Sequence, residues 1–223
     1  MIRALILDFD GLIVDTETPL RDAWMEVYSG AGLSIDDVEW ARILGASADP
    51  SEAYEILETH LGRSIDREAL HTRQLRREAE ILAGADTLPG VREILTSAKE
   101  AGLLLGIASS SERAWVSDHL ASRGLFERFD AIACAEDVPL TKPAPDLYVH
   151  VLRTLGVHAR EAIAFEDSEH GVAAAKAADL YCVAVPNPVT RCLDFRSADL
   201  VVPSLLARTL GEYLEGAARS GRH

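Results

Sequence analysis

The chain has 223 residues, 48% hydrophobic and 26% charged, the balance of a globular protein rather than a disordered or fibrous one. Its 22 Lys and Arg against 36 Asp and Glu leave a formal charge of −14, which repels phosphate backbones and sets nucleic acid aside as a partner. No apolar run nears the ~20 residues of a membrane span, an acid at position 8 interrupts any secretory leader, and three cysteines are an odd number, so reduced thiols in a cytoplasm are expected.

In chain order, a run apolar at nearly every position covers 2–7, the pattern of a parallel strand buried on both faces. No convincing strand follows between 15 and 86, where periodicity predicts helices at 19–31, 35–44, 50–61 and 65–83, separated by glycines. Leu20, Trp24, Val27 and Ala31 make one apolar stripe along the first of these. Strands then resume at 103–108, 131–135, 162–165, 181–185 and, more weakly, 200–202, interleaved with helices at 91–101, 112–123, 145–155 and 171–178. That alternation predicts an α/β fold with a doubly wound parallel sheet. The core would span 1–14 and 87–223, with an all-α insertion over 15–86; residues 219–223 are expected to fray.

Ligands of such sheets sit beyond the carboxyl ends of the strands, so the polar residues closing each strand carry the functional signal. The first strand closes with Asp8-Phe9-Asp10-Gly11. A period of two sends both carboxylates to one side, where they repel unless one is protonated or a cation lies between them. Gly11 permits a tight turn and close approach by a ligand. The second strand closes with Ser109-Ser110-Ser111 ahead of a helix; hydroxyls and free N–H groups there form an anion site, with Ser111 the expected N-cap. Prolines stiffen the loop Thr141-Lys142-Pro143-Ala144-Pro145, which presents one of only three lysines in a chain with 19 arginines. Finally, Glu166-Asp167-Ser168 closes a later strand with hard oxygens of the kind that suit magnesium. Each pattern alone also reads as solvated acids, a helix cap or a surface lysine. Their placement at one edge of one sheet favours a single site.

These ordered motifs, Asp8-Phe9-Asp10-Gly11 with Asp15-Thr16, Ser109, Lys142-Pro143-Ala144-Pro145-Asp146 and Glu166-Asp167-Ser168, resemble those of the haloacid dehalogenase-like superfamily. More closely, the chain resembles the β-phosphoglucomutase-like subgroup, with a helical cap inserted after the first motif. The resemblance implies a Rossmann-like core, a mobile cap and magnesium-dependent phosphoryl transfer. It makes Asp8 the nucleophile that forms an aspartyl-phosphate, and Asp10 the acid that protonates the leaving oxygen and then activates water. Ser109 and Lys142 would hold the transferring phosphoryl group, with Gly11, Ser110 and Thr16 as further substrate- or phosphate-binding positions. Asp8, Asp10 (through its backbone carbonyl), Glu166 and Asp167 would hold Mg²⁺.

Departures from the family narrow the chemistry. Dehalogenating members lack the second acid, present here as Asp10. Phosphonate-cleaving members need a cap lysine, and no lysine precedes Lys99. The mutases carry a hinge histidine where this chain has Leu20, and cap-loop cations where it reads Leu44-Gly45-Ala46-Ser47-Ala48-Asp49. Arg42, Arg73, Arg76 and Arg77 remain candidate substrate grips among residues read mainly as solvated helix faces. The expectation is therefore a phosphatase acting on a small phosphorylated metabolite, such as a sugar phosphate, without a membrane partner. A phosphomutase and a non-catalytic metabolite-binding homologue are the alternatives. The physiological substrate and the oligomeric state are not fixed by the sequence.

Overall fold

The computed structural model describes residues 1–46 and 51–220, and the chain divides into two units. One comprises Met1–Val14, Asp86–Asn187 and the chain from Asp194 onward; the other comprises Asp15–Ala85 and Pro188–Leu193.

In the first unit, β1 (Ala4–Leu7), β2 (Leu104–Ala108), β3 (Ala131–Ala133), β4 (Ala162–Glu166), β5 (Tyr181–Ala184) and β6 (Leu200–Val201) form one sheet. Its order is β3-β2-β1-β4-β5-β6, and all neighbours are parallel. Every residue of β1, β4 and β5 is buried, which is why these strands are apolar without alternation. The expected α/β class with a helical insertion is the fold observed. From β1 the chain winds outward through β2 to β3, then returns to β4 and winds outward the other way to β6. The reversal leaves a crevice beyond the carboxyl ends of β1 and β4. Register fixes what lines it. Leu7 pairs with Ile107 on one side and Phe165 on the other, so the next residue, Asp8, stands level with Ala108 and Glu166.

The second unit is built from α1 (Glu17–Gly30), α2 (Asp37–Ala46), α3 (Ser51–Leu61) and α4 (Arg67–Leu82). Its core is aromatic: the Trp24 ring lies 5.0 Å from Tyr54 and 5.4 Å from Tyr28, centroid to centroid, with Trp40 at 6.2 Å. The buried stripe of α1 is rotated from the expected one. Trp24 and Val27 are covered together with Tyr28, while Leu20 and Ala31 are only partly buried. Val189 is buried in the same core, and a single 3₁₀ turn follows it at Thr190–Cys192.

The sheet unit is completed by α5 (Val91–Glu100), α6 (Arg113–Ser122), α7 (Asp146–Leu155), α8 (Glu169–Ala177) and α9 (Leu210–Arg219). The expected N-cap of α6 is corrected: Glu112, not Ser111, occupies that position, which leaves the Ser111 hydroxyl for another partner. Arg219, expected to fray, closes α9, whose N-terminus carries a reciprocal cap between Thr209 and Glu212. Among the described residues, no helix is long and apolar enough to cross a membrane. The three cysteines are free, Cys134 and Cys182 buried and Cys192 exposed.

Candidate active site

The carboxyl ends of β1 and β4 bring three acids together. Carboxylate oxygens of Asp8, Glu166 and Asp167, all buried, lie within 4.8 Å of one another. Lys142, 6% exposed at its side chain, donates to Asp8 Oδ1 and reaches Glu166 Oε1 at 2.6 Å. The ammonium thus pairs with two of the three clustered acids, and one positive charge against three carboxyl groups is an imbalance that a bound divalent cation would offset.

Further donors hold two of these acids in place. Tyr148, from the first turn of α7, donates its hydroxyl to Glu166 Oε1 at 2.5 Å, and the Asp167 amide donates to Glu166 Oε2 at 3.2 Å. Asn187, just past β5, donates to Asp167 Oδ2 at 2.8 Å and to the Gly11 carbonyl at 3.3 Å. Ser168 caps α8, its hydroxyl accepting from the Gly171 amide at 3.1 Å.

Two glycines make room for the acids. A Cβ on Gly171 would stand 1.8 Å from Glu166 Oε2, and one on Gly11 would stand 2.2 Å from Asp167 Oδ2. Gly11 also adopts φ +73°, a left-handed conformation that a side chain resists. The donor set therefore fits a hard divalent ion: oxygen ligands only, clustered, and cleared of neighbouring carbon.

Burial pushes the Asp8 carboxyl up to about 7 from 3.8; the Glu166 and Asp10 charges add to the rise and Lys142 opposes it. Burial works against the Lys142 ammonium, but Asp8 and Glu166 outweigh it and hold the group above its ordinary range. Burial, reinforced by the Glu166 charge, raises the Tyr148 phenol, which keeps its proton and serves as a donor.

Asp10 turns elsewhere. Its Oδ2 accepts from Ser111 Oγ at 2.6 Å and from Ser109 Oγ at 3.4 Å, and its Oδ1 accepts from Trp115 Nε1 at 2.9 Å. Ser109 is fully buried and its hydroxyl accepts from the Ser111 amide at 3.0 Å, whereas Ser110 is exposed. The structure thus gathers Asp8, Gly11, Lys142, Glu166 and Asp167 into one cluster and sets Asp10 with Ser109 in a second hydrogen-bonded group. The Asp10 side chain is not part of the carboxylate cluster.

Thr16 belongs to the helical unit, at the N-cap position of α1; it is buried, and its hydroxyl makes no cap bond. Among the arginine candidates, Arg77 is paired with Glu26 and Glu80, Arg76 lies 3.8 Å from Glu80, and Arg73 is exposed. The Arg42 side chain and the loop residues Ser47, Ala48 and Asp49 lie outside the described residues.

Tyr148, Asn187, Trp115 and the role of Ser111 escaped the sequence reading. Asn187 had a signal of the kind already used, since it follows β5 as the other polar residues follow their strands. Trp115 lies in the first turn of α6, four positions after Ser111, a spacing that reads equally well as ordinary packing.

The sequence pattern of the family described as Haloacid dehalogenase-like hydrolase matches residues 5–185. Protein YhcW of Bacillus subtilis (strain 168) is 42% identical over 217 residues, covering 96% of this chain and 97% of its own. Hexitol phosphatase B of Escherichia coli (strain K12) is 36% identical over 203 residues, covering 84% of this chain and 85% of its own. Among solved structures, a mutant of CbbY from Rhodobacter sphaeroides crystallised with xylulose-(1,5)bisphosphate aligns with a TM-score of 0.71 at 28% identity, covering 92% of this chain and 95% of that one.

Proposed function

Since this chain belongs to the haloacid dehalogenase-like hydrolases, we propose that it is a magnesium-dependent phosphatase of a small phosphorylated metabolite, a sugar phosphate or similar monoester. The observation that carries this reading is the buried Asp8 carboxylate, tied to Lys142 and clustered with Glu166 and Asp167 at the crevice of the sheet. Similarity to a hexitol phosphatase and to a protein crystallised with a sugar bisphosphate supports the substrate class.

Asp8, Glu166 and Asp167, with the backbone carbonyl of Asp10, would hold the ion. Magnesium bound there supplies positive charge against the repulsion between an anionic nucleophile and a phosphate. Asp8 attacks phosphorus as the ester P–O bond breaks, giving an aspartyl-phosphate. Asp10 protonates the departing ester oxygen. Water then attacks phosphorus, Asp10 takes its proton, and the P–O bond to Asp8 breaks to release phosphate. Lys142 and Ser109 hold the phosphoryl oxygens through transfer, which is the positioning such a reaction chiefly asks of a protein.

A panel of sugar, nucleotide, glycolate and amino-acid phosphates, assayed for phosphate release with magnesium and with EDTA, tests the reading. Hydrolysis of at least one monoester is expected, lost in EDTA and lost in a folded Asp8→Asn variant. Near-native turnover by Asp8→Asn would remove the nucleophile assignment. An isomeric ester in ³¹P NMR, in place of free phosphate, would make the protein a mutase.

A further inference from the structure

Asn187 meets the acid cluster as an uncharged donor. Its side-chain amide donates to Asp167 Oδ2 at 2.8 Å and to the Gly11 carbonyl at 3.3 Å, and the residue is 5% exposed. A carbonyl and an ionised carboxylate only accept, so the NH₂ group must face them, and its two hydrogens match the two acceptors. Lys142 brings positive charge to Asp8 and Glu166. The amide holds Asp167 and brings none, which leaves the negative charge of that carboxylate for a cation.

The backbone that carries the amide is itself fixed. The Val185 amide donates to the Glu166 carbonyl at 2.7 Å, so the chain leaving β5 stays beside the end of β4. Pro186 locks its own φ, and Pro188 steers Asn187 away from helical conformations. Across from it, the Gly11 amide donates to the Val14 carbonyl at 2.8 Å. A Cβ on Gly11 would stand 2.2 Å from Asp167 Oδ2 and 2.6 Å from Asn187 Nδ2. Turn, acid and amide are thus packed directly against one another.

We infer that Asn187 is a positioning residue for the metal site: one amide fixes both the Asp167 carboxylate and the turn that follows Asp10, so these groups are held in place before an ion arrives. The Asp10 carbonyl belongs to the peptide joined to Gly11, and a Gly11 tied by its own carbonyl restricts how far that peptide can rotate. Ordering the groups in the metal-free protein removes an entropic cost from binding.

The inference rests on the magnesium site of the proposed reaction, and titration separates the two ideas. MgCl₂ is titrated calorimetrically into the full chain and its variants. Wild type should bind Mg²⁺; no binding at all removes the site and the inference with it. Asn187→Leu, close in size but without the donors, should bind Mg²⁺ roughly ten- to a hundredfold more weakly. Asn187→Gln, which keeps both N–H groups on a longer stem, should fall between that variant and wild type. Tyr213→Phe removes a buried hydrogen bond to the Leu205 carbonyl (3.1 Å) elsewhere in the sheet unit and should keep wild-type affinity. An equal weakening in Tyr213→Phe would mean that affinity merely follows stability, and overturns the inference. Asn187→Leu with wild-type affinity also overturns it and leaves the phosphatase reading standing. Should Asn187→Leu not fold, Asn187→Ser carries the test, since its single, shorter donor cannot serve both acceptors; wild-type affinity in that variant overturns the inference.

Discussion

At the scale of single residues, Asp8 combines two demands that oppose each other. Burial makes its charge costly, and the proposed reaction needs that charge. With its carboxyl raised from 3.8 to about 7, the folded, metal-free protein holds a proton across that interval that the unfolded chain has released. Stability from this group is therefore fully present below the lower value and is lost as pH rises through the upper one. A divalent ion competes with that proton and favours the ionised form, so the stabilisation by magnesium should grow in the same direction. Thermal unfolding with and without MgCl₂ should show a larger rise in Tm at about pH 8 than at about pH 5. An equal rise at both would mean that Asp8 does not face the ion.

At the scale of elements, the site depends on how closely the helices lie against the sheet. Gly106, in the middle of β2, shows this. A Cβ there would sit 2.4 Å from Val151 Cγ1 on α7, a short β-branched side chain with little room to give. Since α7 also carries Tyr148 to Glu166, any shift that relieves the clash moves a donor of the carboxylate cluster. Gly106→Ala should lower stability by about 1–3 kcal/mol in urea unfolding and reduce kcat. An unchanged urea midpoint would show that α7 is loosely held.

The same scale explains what could be read from the sequence. Doubly buried parallel strands are short apolar runs, so β1, β2, β4 and β5 and the acids that close β1 and β4 are legible in the sequence alone. The α9 helix also has a local signal in Thr209 and Glu212, a capping pair three residues apart. The Trp115 bond to Asp10 had none, because it joins positions 105 residues apart and no local pattern records it.

For the molecule as a whole, the partition into two units is not a simple insertion. The short return Pro188–Leu193 joins the helical unit, and Val189 is buried in its aromatic core. Six residues without periodicity offer no clue to that association in the sequence. Val189→Ala should cost about 1–3 kcal/mol, and the loss should be local. In hydrogen exchange, amides of α1, α3 and α4 should lose protection while those of β1, β2 and β4 keep theirs. Equal loss in both sets would mean that the units unfold as one.

The distribution of tryptophans adds an optical consequence. Two of the three, Trp24 and Trp40, are sealed at 1% exposure in the helical unit, and only Trp115 is accessible. Iodide added to the native protein will therefore dim chiefly the one indole whose nitrogen touches Asp10. The intrinsic fluorescence becomes a gauge of solvent entry beside that side chain, read without a dye and before any substrate is known.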